Sequence, residues 1–314
     1  MSRPDSATDP AVVVGFGAVA VDSMIYVDQP FGAGKGRIIR RETSYGGNVA
    51  TALAAVADLG GRPRFVGYLP DADAWPGVHQ DLAEHGIDAT DATVVAGAPP
   101  IQSTILVAPG GARFIAFDDD CPIGAPADLD LQVVTSAQAL LVDGYAPGNG
   151  LRAVLAARAA GVPVVGDLEL ADMPGRQALQ DAIGHLVVPL AFALRVTEAQ
   201  TPEAAVRALW TDDRDAVVVT DGEHGCWFAE AKDGLVQHFP AFEVAVVDTN
   251  GCGDVFHGAY AYSIATGFAV PAAVRRAAAA SAVAATGVGG RGRLPNEADV
   301  QTLLDTAQVP AHPR

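Results

Sequence analysis

The run Val246-Val247-Asp248-Thr249-Asn250-Gly251-Cys252-Gly253-Asp254-Val255-Phe256 holds residue types that can do chemistry as a set. Phe242 to Val247 reads as a short buried strand, and from Asp254 to Thr266-Gly267 apolar residues recur at helical spacing. Between them, Gly251 and Gly253 permit torsions and close approaches that side chains forbid, so the amides of Gly251, Cys252 and Gly253 can converge at a helix start. Such a start suits an anion, or negative charge developing in a transition state. Asp254 stands beside it as a candidate general base, the pairing that phosphoryl transfer to a hydroxyl requires. Taken alone, the same residues also fit an Asp N-cap behind a glycine turn.

Other candidates lie earlier. Gly46-Gly47-Asn48 precedes an Ala/Leu/Val helix over 49–59 that Gly60-Gly61 stops. Glycines there let a sugar ring approach the backbone, and the Asn amide offers both a donor and an acceptor. Lys35, Arg37, Arg40 and Arg41 concentrate positive charge among the glycines of 31–41, a stretch expected to belong to a lid. Gly15-Phe16-Gly17 imitates a dinucleotide-binding turn. Such a turn should open a helix, whereas Val21 to Val27 reads as extended, with Asp22 inside it. A Val-rich strand at 217–219 leads through Thr220 into a turn with Gly222 and Gly225, beside which His224 reads as exposed.

Asp248 to Phe256 resembles the C-terminal signature of the PfkB-type, ribokinase-like carbohydrate kinases, D-T-x-G-A-G-D-x-F, with Cys252 in place of the small residue between the glycines. Gly46-Gly47-Asn48 and its helix, ending in Leu59-Gly60, are similar to the family's other signature, and Val219 to Gly225 to its V-T-x-G-x-x-G turn. The resemblance spans roughly residues 11–305. It implies an α/β, ribokinase-like fold: a central, mostly parallel sheet flanked by helices, in one domain over 11–314, with a small β-sheet lid drawn from about 17–45 and 97–120. It implies Asp254 as catalytic base and the 251–253 amides as anion hole, with Asp22, Gly46, Gly47 and Asn48 on the sugar. Thr220, Gly222 and Gly225 would flank ATP, and Arg291 or Arg293 could reach a phosphate. Main-chain carbonyls near Asp248 and Asn250 would hold a monovalent cation such as K+.

One departure concerns the metal. Leu190 and Ala193 stand where relatives carry the N-x-x-E pair that organises Mg2+, so the ion is expected to rest chiefly on nucleotide phosphates and waters. Within the family, Pro240-Ala241-Phe242 and Gly289-Gly290-Arg291 look nearest the sulfofructose-kinase-like branch, which makes Lys35 a candidate for an anionic sugar group. Gly144 and Phe117 stand where that branch would offer polar or basic partners, so a neutral ketose or pentose ranks at least equal. A nucleoside kinase of the same fold and a non-catalytic sugar or nucleotide sensor are the alternatives, and a homodimer through the lid is compatible with the resemblance.

The rest of the chain must position these groups. Its 314 residues, 50% of them hydrophobic, suffice for one large packed domain. A net charge of −17 argues against nucleic acid or an anionic membrane as partner. Cys121, Cys226 and Cys252 are scattered and lack metal-ligand spacing, which reads as a reduced protein. With no apolar run of about 20 residues, a soluble, cytoplasmic protein is expected, with residues 1–10 as a disordered tail. Beyond residue 130, short β-rich runs alternate with Ala-rich helices, implying a parallel sheet with ligands at the carboxyl ends of its strands. Asp143 and Asp167 fall at such ends.

Overall fold

A computed structural model of the chain describes residues 9–32, 34–109, 112–145, 147–230 and 234–306. Residues 1–8 of the expected tail, and Gly110 and Gly111, lie outside them. In chain order, β1 (Val12–Phe16) runs on into β2 (Ala20–Val27) and β3 (Ile38–Gly46), and α1 (Asn48–Asp58) returns to β4 (Arg62–Phe65). The short strands β5 (Tyr68–Leu69) and β6 (Thr93–Val94) bracket α2 (Pro76–Glu84), and β7 (Ile101–Val107) and β8 (Arg113–Asp118) follow. Alternation then sets in: α3 (Leu131–Thr135), β9 (Ala139–Asp143), α4 (Pro147–Ala159), β10 (Val164–Asp167), α5 (Arg176–Ala182), β11 (His185–Pro189), α6 (Leu190–Thr197), α7 (Pro202–Leu209) and β12 (Ala216–Thr220). After β13 (Cys226–Glu230) and β14 (Gln237–Phe239) come α8 (Cys252–Ala265), α9 (Val270–Ala284) and α10 (Glu297–Thr306).

The main sheet has the order β14-β13-β12-β11-β10-β9-β1-β4, parallel from β12 to β4, with β13 and β14 antiparallel at one edge. Its central strands are apolar on both sides, as a sheet covered by helices on two faces requires. Alternate residues serve opposite cores. Val13, Leu141, Val165, Val187 and Val218 face α1, α8 and α9, whereas Val14, Leu140, Val164, Leu186 and Val217 face α4, α5 and α7.

A second, four-stranded sheet, ordered β3-β2-β7-β8, is the small separate sheet the resemblance implies. Its outer strands expose Ile38, Ile39, Phe114, Ile115 and Phe117. Because Gly17 to Val19 leads from β1 directly into β2, no helix follows the early glycines, and the imitation of a dinucleotide turn ends there. The same connection carries Asp22 over the carboxyl end of the main sheet.

One stretch differs from the sequence reading. Phe242–Val247 is irregular rather than a buried strand, with Val246 and Val247 61% and 59% exposed. Its backbone docks on the end of α9, where Val247 N and Asp248 N both donate to Ala285 O (2.8 and 3.2 Å). The run containing Leu190 and Ala193 is a helix, α6, whose Phe192 and Ala193 are buried in the core. Helix α2 begins at Pro76, where a proline's missing N–H costs nothing in the first turn. Among the described residues, no helix is long and apolar enough to cross a membrane.

Candidate active site

The base of the small sheet, the starts of α1 and α8 and the loop after α9 meet around a narrow cavity of about 50 Å³. Asp22, Gly46, Gly47 and Thr51 line one side, and Asn250, Gly251, Asp254 and Gly290 the other. Asp22, two of the glycines and Asp254, far apart in sequence, thus share one wall-to-wall space.

Gly251 caps α8 in the left-handed region (φ +72°), and a Cβ there would lie 2.5 Å from the Gly290 carbonyl oxygen. The first hydrogen bond of the helix runs from Val255 N to Gly251 O at 2.9 Å, so the amides of Gly253 and Asp254 precede the ladder, as an anion hole requires. The Cys252 amide donates instead to Thr249 O at 3.3 Å, a bond it would have to release in order to join them. Burial, with Asp248 and Asp254 adding to it, pushes the Cys252 thiol up to about 11, so it is no reactive thiolate despite its place at a helix start. At the start of α1, Gly47 has φ +97°, and a Cβ would meet the Ala18 carbonyl at 2.3 Å, which presses the helix against the link between β1 and β2.

Carboxylates dominate the electrostatics. Burial, then Asp167 and Glu169, holds the Asp254 carboxyl well above the usual range, while Arg291 pulls the other way. Asn48 donates its amide nitrogen to Asp167 Oδ2 (3.0 Å) and Glu169 Oε1 (3.2 Å), so that side chain is turned onto the end of β10. The buried His257 lies one turn into α8, its ring nitrogens 2.7 Å from Gly253 O and 3.1 Å from Val187 O, with Asp167 Oδ1 at 3.5 Å. Asp143 accepts from Ala18 N (2.6 Å) and Tyr145 N (3.0 Å), yet burial pushes it up to about 8. Burial also raises Asp22, against a hydrogen bond with Ser103 and the charge of Arg291.

Arg291 is the cation of this region, and the structure turns it into the protein rather than towards a phosphate. Its side chain, 7% exposed, pairs with Asp81 of α2, donates from Nε to Thr51 Oγ1 (3.2 Å) and reaches the Gly46 carbonyl at 3.5 Å. It therefore ties the loop after α9 to α1, α2 and the base of the small sheet. Arg293 is likewise engaged, with Thr286 Oγ1 at 2.6 Å and Asp299 at 3.6 Å.

The remaining candidates lie elsewhere. Lys35 lines a separate recess with Asp28, Gln29 and Arg37 in the β2–β3 connection, so the structure does not bring it to Asp254. Thr220 ends β12 with Oγ1 3.5 Å from Val188 O; Gly222 opens a single 3-10 turn that Gly225 closes, and none of the three lines the Asp254 cavity. His224 is exposed, as expected, and faces Asp221 Oδ2 at 3.0 Å. Asp248 accepts from Asn250 N (3.0 Å) and Gly289 N (2.9 Å), joining the signature loop to the loop after α9. Leu190 and Ala193 offer no metal donor, and among the described residues no group of three His, Cys, Asp or Glu side chains is placed to hold a metal.

Sequence reasoning missed Glu169, Thr51, Asp81 and His257. Glu169 carried a signal, since a second carboxylate two residues beyond the Asp at a strand end falls in the same cleft. The Arg291–Asp81 pair carried none, its partners being 210 positions apart.

Comparison with known proteins places this geometry. The family described as pfkB family carbohydrate kinase matches residues 11–297. Fructokinase-2 of Oryza sativa subsp. japonica is 25% identical over 330 residues, covering 96% of each chain. A provisionally assigned ribokinase from Agrobacterium tumefaciens superposes with a TM-score of 0.84 at 30% identity, over 95% of this chain and 98% of that one. The ribokinase of Arabidopsis thaliana, solved with ribose and ATP, gives a TM-score of 0.82 at 24% identity over 96% of this chain and 100% of its own.

Proposed function

The chain belongs to the pfkB family of carbohydrate kinases, phosphotransferases that use ATP and a hydroxyl acceptor, and we propose that it phosphorylates a hydroxyl of a small sugar with Asp254 as general base. The observation that carries this reading is the single cavity shared by Asp22, Gly46 and Asp254, with the start of α8 as its other wall. Asp22 and Gly46 hold the sugar, and the Asn48 carbonyl oxygen accepts from a hydroxyl while its nitrogen stays on Asp167 and Glu169. The attacking hydroxyl gives its proton to a carboxylate Oδ of Asp254 as its oxygen bonds to the γ-phosphorus and the bond to ADP breaks. Amides at the start of α8, with the positive end of that helix, take up the charge on the transferred group.

A raised Asp254 suits this role, because a base whose proton affinity approaches that of the medium accepts a proton more readily than an ordinary carboxylate. Thr220, Gly222 and Gly225 are assigned to the nucleotide through the carboxyl end of β12. Magnesium, where bound, would neutralise phosphate charge, and since Leu190 and Ala193 in α6 offer no donor it would be held by nucleotide oxygens and waters. A potassium ion on the main-chain carbonyls beside Asp248 and Asn250 belongs to the same proposal, and replacing KCl by a bulky organic cation tests it. So does a homodimer through the exposed apolar residues of the small sheet, such as Ile39 and Phe114, which sedimentation would reveal.

The test is release of ADP from ATP and magnesium across ketoses, aldopentoses, sugar phosphates, sulfosugars and nucleosides, run beside Asp254→Asn. Turnover with a sugar, lost in the variant, supports the reading. A nucleoside as best acceptor, or binding of several sugars without turnover, overturns it in favour of the same-fold nucleoside kinase or a sensor.

A further inference from the structure

His257 is buried one turn into α8, with 3% of its surface exposed, and both of its ring nitrogens face acceptors. Nδ1 lies 2.7 Å from the carbonyl oxygen of Gly253, and Nε2 lies 3.1 Å from that of Val187 and 3.5 Å from Asp167 Oδ1. Val187 and Asp167 are register partners on β11 and β10, so the ring sits across two adjacent strands near their carboxyl ends. A carbonyl oxygen only accepts, and a neutral imidazole carries hydrogen on one nitrogen alone. Either neutral tautomer would therefore press a lone pair against a buried carbonyl. Hydrogen on both nitrogens satisfies both carbonyls, and the charge it brings is paired with Asp167.

Each nitrogen leads to one half of the site. The Gly253 carbonyl belongs to the same peptide group as the Asp254 amide, one of those that precede the ladder of α8. A charge-assisted bond at that oxygen polarises the group and makes the Asp254 N–H a stronger donor. On the other side, Asp167 turns Oδ1 to His257 and takes the Asn48 amide nitrogen at Oδ2 (3.0 Å). Glu169 accepts from the same nitrogen at 3.2 Å. Burial, then Asp167, raises the Glu169 carboxyl, and its bond to Asn48 and the charge of His257 oppose them. Ionised carboxylates only accept, so they hold the Asn48 nitrogen and leave its carbonyl oxygen for a sugar hydroxyl; a protonated carboxyl would donate and let the amide turn round.

Resting on the kinase reading above, we infer that His257 is a positioning residue, held as the imidazolium, that joins the amides at the start of α8 to the sugar-binding amide of Asn48 through Asp167. It acts through Gly253, Asp167 and Asn48 rather than on the sugar or the phosphate.

The first measurement is a nitrogen NMR spectrum of the full chain with isotope-labelled histidines, the His257 signals being identified by their loss in His257→Gln. Both ring nitrogens should carry hydrogen at neutral pH, and one bare nitrogen would overturn the inference. Kinetics test the join. His257→Gln, which keeps reach but no charge, should raise KM for the sugar about tenfold and lower kcat about tenfold, the effect of losing a charge-assisted hydrogen bond at each end. KM for ATP should stay nearly unchanged, because the amide acts on charge that develops only in the transfer. Asn48→Ala should then cost less in sugar KM beside His257→Gln than it does alone, since the two residues act in one network. Additive losses, or a lowered melting temperature with the sugar KM unmoved, would show a packing role alone and overturn the inference. If no acceptor turns over, the kinase reading fails separately. The spectrum, and the same pair of variants followed by sugar calorimetry with a non-hydrolysable ATP analogue, still decide the place of His257.

Discussion

Around Asp254 the groups that would meet a sugar are side chains from distant parts of the chain, each tied to another: Asn48 to Asp167 and Glu169, Asp143 to Ala18 and Tyr145, Arg291 to Asp81 and Thr51. Around Thr220, the region assigned to the nucleotide, the material is mostly backbone: a strand end and a 3-10 turn between Gly222 and Gly225. The first arrangement behaves as one electrostatic unit, in which removing a member shifts the rest. The second should tolerate substitution of its few side chains, since amides and carbonyls do the recognising. Ways to break this contrast follow from its members in turn.

Asp254→Asn is expected to cause the largest loss, about 10²–10⁴-fold in kcat, the range a positioned general base supplies. Initial rates at saturating ATP and sugar measure it, and a near-normal rate would remove Asp254 from the chemistry. Gly251→Ala should follow, at about 10²–10³-fold in kcat. Its methyl would enter the Gly290 backbone and the residue would hold φ +72°, so the start of α8 must shift. A thermal melt separates that local shift from general unfolding.

Arg291→Met tests whether the acceptor end is one unit. Removing one partner of a buried ion pair leaves Asp81 uncompensated, which costs about 3–5 kcal/mol of stability. Asp81→Asn in the same chain should recover part of it, as urea midpoints would show. The pH profile gives the second readout. Asp254 must be deprotonated to act, and its affinity for the proton is raised, so activity is lost as pH falls through a value above the ordinary carboxylate range. Arg291 favours the ionised form, so its removal should move that acid limb to higher pH, whereas Asp167→Asn should move it lower. A limb that stays in place in both variants would show that the carboxylates do not act together.

How much of this was legible in the sequence follows the same division. Gly251, Gly253 and Asp254, or Gly46, Gly47 and Asn48, are adjacent residues whose backbone demands are local, so their spacing alone points to the starts of α8 and α1. The alternation of apolar runs after residue 130 likewise specifies a parallel sheet, because each strand is buried on both faces. Charge without position was not legible. Lys35 offered a cation for an anionic sugar, and nothing nearby in sequence said that the β2–β3 connection carries it into another recess. Arg291 invited a phosphate, since its partner Asp81 belongs to a helix on the other side of the chain's path. Phe242–Val247 has the apolar content of a strand, but its carbonyl partner is the end of α9 rather than a neighbouring strand.

Thr220→Ala should have the smallest effect and sharpens the contrast from its other end. The Thr220 hydroxyl ends β12 with only a 3.5 Å contact to Val188 O, so it is weakly held and can turn to a ribose or phosphate oxygen. A neutral hydrogen bond of that kind is worth about 0.5–1.5 kcal/mol, or roughly a two- to tenfold rise in KM for ATP. The acceptor's KM should change little, because no contact of Thr220 reaches the ties among Asn48, Asp167 and Glu169. Competition of ATP with a non-hydrolysable analogue gives the affinity directly. A loss of 100-fold or more would mean that the nucleotide end, too, is a network of side chains, and the difference between the two ends would disappear.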